Sequence, residues 1–370
     1  ETQLILNIEE SIKQTFDMGM TPNPLLVSIL ASYRQLSELE RCNYFEKIPH
    51  IRDLVEKHII EVKKEEMIKK TISKSSGIID SVSIRVKNQY EENPYPRWDN
   101  LYLNTTEKSI EQLMKESRIK VPNKSIFFCK KPNILIAGCG TGEHSIRTAL
   151  RFKDCKIIAI DLSLSSLAYA IRKSKELNIT NIEYLQSDLL DITKLKMKFD
   201  IIECCGVLHH MERPLLGWKS LCNSLKPNGL MKIALYSKKA RQNVKKIQQE
   251  IVSKKVKGNN ISIKKFRKDI MDSKLTHHKE ILSSSDMYSL SNVRDLLFHA
   301  QEHTFTILSI KDQFLKLNLN FCGFETDDIL KKYLEINKEN DLYDLDKWDC
   351  FEKCNPMLFG RMYQFWCQKI

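Results

Sequence analysis

The sequence has no run approaching the eighteen or so apolar residues that a membrane-spanning helix needs, and no signal peptide is read at its start. Its eleven cysteines include no paired C-x-x-C knuckles: Cys204 and Cys205 are adjacent, and Cys350 and Cys354 stand four apart with no second pair. That spacing excludes a zinc ribbon, and reduced thiols in a cytoplasmic protein are the expectation. Arginine-rich tracts are missing, as is any basic and aromatic RNA-binding signature. The formal net charge of +12 comes from lysines spread through the chain and mixed with glutamates, so no stable nucleic-acid or membrane partner is expected. The chain opens at Glu1 without a methionine, which leaves open whether residues precede it. Hydrophobic residues make up 42% of 370, enough for one large domain with insertions or for two domains.

What is there is organised around residues 133–145, NILIAGCGTGEHS. Ile134, Leu135, Ile136 and Ala137 are apolar without alternation, as a strand buried on both faces requires. Gly138-Cys139-Gly140-Thr141-Gly142 follows, a tight turn on which no Cβ keeps a ligand from the backbone. A helix is expected from about Glu143. The dinucleotide pattern G-x-G-x-x-G is absent; the spacing G-x-G-x-G is the one seen in class I S-adenosylmethionine (SAM) methyltransferases, where no pyrophosphate needs a cradle.

The elements behind the loop keep the order of such a sheet. Residues 156–161 form a second strand ending in Asp161, about twenty residues past the loop, where a carboxylate can accept hydrogen bonds from both ribose hydroxyls. Residues 182–188 form a third, ending in Asp188, where SAM enzymes set an acid against the adenine amino group. Either acid could instead cap the segment that follows it. Residues 199–204 form the fourth strand, with Gly206, His209 and His210 in the loop behind it. No metal is expected there, because neighbouring histidines rarely share one ion and no matching ligand set accompanies them. Residues 230–236 form the fifth strand after an Asn228-Gly229 turn. Residues 307–317, 320–324 and 362–367 fit a helix, a sixth strand and an antiparallel seventh.

Four regions follow: a helical region over 1–82; a core with its lead-in over 83–236; a helical insertion over 237–306, assigned to substrate binding or dimerisation; and the end of the core over 307–370, with a second insertion at 325–361. In the lead-in, SIRVKNQYEENPYPRW, two prolines fix an extended backbone around Tyr95; the stretch reads either as a proline-stiffened linker whose aromatics pack on the sheet or as a lid facing the substrate. Within it, Asn93-Pro94-Tyr95-Pro96 is similar to the [DN]PPY tetrad of nucleobase amino-methyltransferases. Its second proline is displaced, and it precedes the glycine loop. In the first insertion, His299, Glu302 and His303 lie either on a satisfied amphipathic helix or toward the pocket.

The stretches VSIRVKNQYEENPYPRW, ILIAGCGTGEHSI, FDIIECCGVLHHM, GWKSLCNSLKPNGLMKIALYS, RDLLFHAQEHTFT and MYQFWCQK resemble bacterial class I SAM methyltransferases of the QYEENPYPRW group. Among these, the lysine- and isoleucine-rich character resembles the rickettsial protein lysine methyltransferases that act on outer membrane protein B. The resemblance implies a Rossmann-like seven-stranded α/β sheet, SAM as methyl donor with S-adenosylhomocysteine as product, a protein substrate with exposed lysines, and a homodimer. It implies cofactor contacts at Gly138, Gly140, Gly142, Asp161 and Asp188, with Leu189 and Gly206 nearby; Cys139 and Leu162 are counted with them. His209, Tyr95 and Tyr236 are the candidates for positioning the reacting groups, and Tyr90, Arg97, Trp98, His299 and His303 for holding the substrate. No general base is assigned. A small-molecule or nucleic-acid methyltransferase on the same fold is the alternative, and a non-catalytic SAM-binding module a more remote one. A dehydrogenase is disfavoured by the loop spacing.

Overall fold

Runs of branched aliphatic residues set the centre of the fold. β1 (Asn133–Ala137), β2 (Lys156–Asp161), β3 (Ile182–Gln186), β4 (Phe199–Cys205), β5 (Leu225–Tyr236), β6 (Leu319–Phe324) and β7 (Met362–Lys369) form one sheet in the order β3-β2-β1-β4-β5-β7-β6. The first five strands are parallel, and β7 runs antiparallel to both β5 and β6. This is the Rossmann-like, seven-stranded class I methyltransferase arrangement expected from the sequence. Strand order reverses between β1 and β4, and an open parallel sheet binds its ligands at the carboxyl ends beside that reversal. The computed structural model describes residues 2–75, 77–101, 106–360 and 362–370.

The chain divides into two units, Glu1–Thr71 and Ile72–Ile370. In the first, the helices Thr2–Asp17 and Pro24–Ala31 and the helical run through Lys69 enclose a small core that includes Ile8, Ile12, Leu30, Phe45 and Ile59. Asn23 starts its second helix by accepting the Leu25 N–H at 2.9 Å, with Pro24 in the first turn. The boundary lies at 71/72 and not at 82/83 as expected, because residues 73–75 belong to the sheet. The Gln186 N–H donates to the Ser73 carbonyl at 2.9 Å, and the Ser75 N–H donates to the Gln186 carbonyl at 3.0 Å. Such a short bridge has no signature in composition.

Ser81–Glu92 is a helix, capped by the Asp80 carboxylate on the Ser83 N–H at 2.8 Å. The two prolines govern only the residues around Tyr95. The expected Asn228-Gly229 turn is a bulge within β5: Leu225 pairs with Phe199 and Leu230 with Ile201, so four residues loop out while the strand continues. Asn228 takes the positive φ of +59° that the bulge demands.

Residues 237–306 carry the helices Gln242–Ser253, Asn260–Met271, Thr276–Ile281 and Leu290–Leu297 around their own apolar cluster, centred on Ile247, Ile263, Ile270, Met287 and Val293. Residues 325–361 carry Asp327–Leu334 and Leu345–Cys354, whose Tyr333 and Trp348 stack at 3.8 Å and join the main core.

One ion cluster ties the helix Glu143–Arg151, which follows the glycine loop, to β4. Glu203 is fully buried and is met by Arg151 at 2.5 Å, His144 at 2.6 Å and the Thr148 hydroxyl at 2.8 Å. Burial alone would push its carboxyl up; Arg151, His144 and Lys232 overturn that and hold it well below the usual carboxylate range. Its folded value is depressed, so its contribution to stability is complete above the ordinary carboxylate pKa and is lost as pH falls through the folded value. Arg151→Met leaves a buried carboxylate without its main partner. The expected loss is about 3–5 kcal/mol in denaturant unfolding, with the acid-unfolding midpoint moved to higher pH.

Candidate active site

The carboxyl ends of β1, β2 and β4 open into a cavity of about 790 Å³. Gly138, Cys139 and Gly140 line it from the loop after β1, Asp161 and Leu162 from the end of β2, Asp188 and Leu189 from the end of β3, and Gly206 from the end of β4. The loop's backbone is fixed from the next strand: Asp161 Oδ2 accepts the Gly140 N–H at 2.8 Å and Oδ1 accepts the Ser163 N–H at 2.9 Å. Burial raises the Asp161 carboxyl above its ordinary value, and the N–H groups of Ser163, Gly140 and Leu162 oppose that rise. Gly206 sits at φ +80°, and a Cβ built there would meet nothing within 4 Å. This glycine therefore leaves cavity space that a side chain would fill.

Gly142 does not line the cavity, contrary to expectation. A Cβ there would come within 2.6 Å of the Ala170 Cβ, and φ is +89°. Its smallness serves the packing of the helix Leu164–Glu176 against the loop. Thr141, Glu143 and His144 line the cavity in its place.

The helix Ser81–Glu92 docks across the carboxyl end of the sheet through an acid. The Glu91 carboxylate accepts the Leu164 N–H at 2.7 Å, the Ser165 N–H at 3.0 Å and the Ser165 hydroxyl at 2.6 Å. An anion on the first N–H groups of a helix satisfies donors that would otherwise lack partners and meets the positive end of the dipole. Residues 95–98 then lie along the glycine loop. The Thr141 hydroxyl donates to the Pro96 carbonyl, and the Trp98 indole N–H donates to the Thr141 carbonyl at 3.2 Å. A Cβ on Gly140 would stand 3.3 Å from the Tyr95 carbonyl oxygen. Tyr90 and Tyr95 line the cavity. Arg97 and Trp98 do not: Trp98 packs edge-on to Tyr169 at 6.0 Å, and the Arg97 guanidinium lies 5.6 Å from the same ring. These two are corrected from substrate-binding residues to residues that seat the lead-in.

The far wall brings together β5, the loop after β4 and the first insertion. Tyr236 lines the cavity, and its ring carries the Arg241 guanidinium at 3.7 Å. His209 does not line the cavity; His210 does. The His209 ring lies behind Tyr236, stacked at 3.7 Å, fully buried and with both ring nitrogens unpartnered. Burial first, then Arg241 and His299, drive its pKa well below 6.5, so it backs Tyr236 as a neutral ring. His299 and His303 also stand outside the cavity lining. His299 stacks on His210 at 3.5 Å, and the His303 N–H donates to the His209 carbonyl at 2.7 Å.

Sequence reasoning missed Asp295, Asp286 and Arg241, all of which line the cavity. Asp295 accepts the Tyr90 hydroxyl at 2.7 Å, and burial, working against that bond and Arg241, pushes its carboxyl up to about 6. Arg241 is held by Glu302 at 2.6 and 3.0 Å. The alternation of acid and apolar residues around Asp295 reads as an ordinary amphipathic helix, so only the tertiary structure reveals it. Away from the cavity, Glu250 Oε1 lies 2.6 Å from His277 Nε2 and 3.0 Å from His278 Nε2. Among the described residues this is the one group whose metal-ligating atoms converge, and hydrogen bonds alone account for its geometry.

The residues fit SAM. A half-buried carboxylate at the end of β2, a second acid at the end of β3 and bare backbone at Gly138, Gly140 and Gly206 bound a cavity within the size range of cofactor sites. Residues 130–294 match the family described as a methyltransferase domain. An uncharacterized protein of Synechococcus is 29% identical over 206 residues, 54% of this chain and 49% of that protein. The putative methyltransferase YqeM of Bacillus subtilis is 34% identical over 112 residues, 29% of this chain and 44% of that protein. The chain thus spans about half the length of the curated relatives it matches. Among solved structures, PKMT2 from Rickettsia typhi in complex with AdoHcy superposes with a TM-score of 0.52 at 16% identity, covering 74% of this chain and 54% of that one. Its likeness is one of fold. The stretch 130–294 is a SAM-dependent methyltransferase domain, and SAM is its cofactor.

Asp161→Ala removes the acceptor for Gly140 and for a bound diol together. SAM affinity measured by calorimetry is expected to fall at least about tenfold, as charged hydrogen bonds of roughly 1.5–3 kcal/mol require, while Trp98→Phe changes it little.

Proposed function

We propose that this protein transfers the methyl group of SAM to the side-chain amine of lysines in a protein substrate. The lining of the cavity carries this reading: Tyr90, Tyr95 and Tyr236 share it with Asp286 and Asp295. Aromatic faces attract an alkylammonium through their quadrupoles, and carboxylates offset its charge where water is scarce. The sequence's resemblance to rickettsial protein lysine methyltransferases supports the same acceptor, with a bacterial outer membrane protein as the substrate, and a homodimer working in the cytoplasm.

Bound SAM supplies a methyl group already activated by a positively charged sulfur. The protein's task is to bring a neutral nitrogen in line with it and to exclude water. Asp161 and Asp188 fix the cofactor end. Glu91 holds Tyr90 and Tyr95 over the glycine loop by anchoring their helix. His209 supports the Tyr236 ring from behind, and the Arg241–Glu302 pair covers its other side. The acceptor carbon chain is expected to lie between these rings.

With methyl-labelled SAM, an outer membrane surface protein and poly-L-lysine as acceptors, mass spectrometry is expected to find label on lysine Nζ. Label confined to RNA or to small metabolites would sink the reading. Tyr95→Ala should lower kcat/KM for the lysine acceptor by about tenfold or more, given roughly 2 kcal/mol for a desolvated cation–π contact.

A further inference from the structure

We propose that Asp295 is the proton acceptor for the methylated amine, and that Tyr90 and His299 rearrange their hydrogen bonds to accommodate the proton it takes. The proposal rests on the reading of an amine acceptor. An amine reaches the site as an ammonium and must lose one proton before its nitrogen lone pair is available. The N–C bond then forms as the C–S bond breaks, the electron pair of that bond staying on sulfur. The products are a methylammonium, a neutral thioether and the proton left on Asp295.

The hydrogen bonds around Asp295 have room for that proton. The Gln301 carbonyl oxygen lies 2.7 Å from His210 Nδ1 and 2.8 Å from His299 Nδ1. A carbonyl only accepts, so both imidazoles carry their hydrogen on Nδ1 and leave Nε2 as an acceptor. The Gln301 N–H approaches His299 Nδ1 at 3.3 Å, a longer contact that does not decide the tautomer. His299 Nε2 lies 3.2 Å from the Tyr90 oxygen, whose other neighbour is Asp295 at 2.7 Å. Tyr90 has one hydrogen and two acceptors within reach. With Asp295 ionised, Tyr90 donates to it. With Asp295 protonated, the carboxyl donates to Tyr90 and Tyr90 donates to His299. His299 Nε2 lacks a donor while Asp295 is ionised and gains one when Asp295 is protonated, so the network accommodates the proton and is fully partnered once it is held.

The groups facing Asp295 favour this use. Arg241, just before the helix Gln242–Ser253, and the Tyr90 hydroxyl stabilise the carboxylate; Asp286 and Glu302 oppose it. Burial exceeds each of these, and the carboxyl is pushed up to about 6. A base of that strength is ionised at neutral pH and binds a proton far more firmly than an exposed aspartate does. His299 is driven down to about 4 by burial, so it remains a neutral acceptor when Asp295 is protonated.

The test is the pH profile of methyl transfer from labelled SAM to poly-L-lysine. In the unaltered protein kcat/KM should fall below about pH 6. Asp295→Asn should lower kcat at neutral pH by about a hundredfold or more, abolish that acid limb and leave SAM affinity within about twofold. Asp295→Glu should restore part of the rate. Tyr90→Phe removes a bond that stabilises the carboxylate, so the limb should move to higher pH. If Asp295→Asn raises only KM and keeps the limb, Asp295 merely anchors a cation and the proposal is overturned. If lysines take label at an unchanged rate in Asp295→Asn, the base assignment falls and the amine reading stands. If the unaltered protein binds SAM yet labels no amine, the amine reading falls and the proposal with it.

Discussion

A single half-buried carboxylate at the end of β2 holds the cofactor side of this protein in register. Asp161 takes the backbone N–H of Gly140 with one oxygen and that of Ser163 with the other. It therefore sets the path of the glycine loop and the start of the helix Leu164–Glu176 at once. Glu91 repeats the device one turn further on, where it binds that helix's first N–H groups. The two acids satisfy donors that neither a loop nor a helix terminus can satisfy alone. Together they bring the tyrosines of the lead-in to the same opening as the strand ends.

The opposite wall follows a different logic. There the polar groups come from the insertion after β5 and meet aromatic rings that the sheet supplies. Tyr236 lies between the His209 ring and the Arg241 guanidinium. His210 and His299 stack on one another and share the Gln301 carbonyl. Burial keeps these imidazoles neutral, so they add hydrogen-bond acceptors and no charge to a wall whose Arg241 is paired with Glu302. That suits a site whose cofactor already carries a positive charge. It also explains why two adjacent histidines need no metal: one ring is a packing element and the other a fixed tautomer.

The sheet and its cofactor residues were legible because local signals and fold agree there. Short apolar runs, a glycine loop and an acid at each of two strand ends can form little else, and seven of the nine residues around Gly138 to Gly206 that the sequence singled out stand beside Asp161 on one cavity, with Gly142 turned to packing. The distinction between His209 and His210 was not legible. It depends on a single 3-10 turn at Leu208–His210, and a shift of one residue exchanges which ring faces the opening. Asp295 was hidden for another reason. It reaches the site from more than fifty residues into the insertion, on a helix whose periodicity reports only its own small core.

The bridge between residues 73–75 and Gln186 has a counterpart across the sheet, where the Lys120 N–H donates to the Cys322 carbonyl of β6 at 2.8 Å. β3 and β6 are the two outermost strands, five and six residues long, and each has part of its open edge taken by chain that precedes β1. What remains on either edge is too short a template for another strand to pair along. Extension of this sheet from one molecule into the next is thereby disfavoured by the protein's own connectivity. Helix faces and loops are left as the larger surfaces with which a second polypeptide could pack.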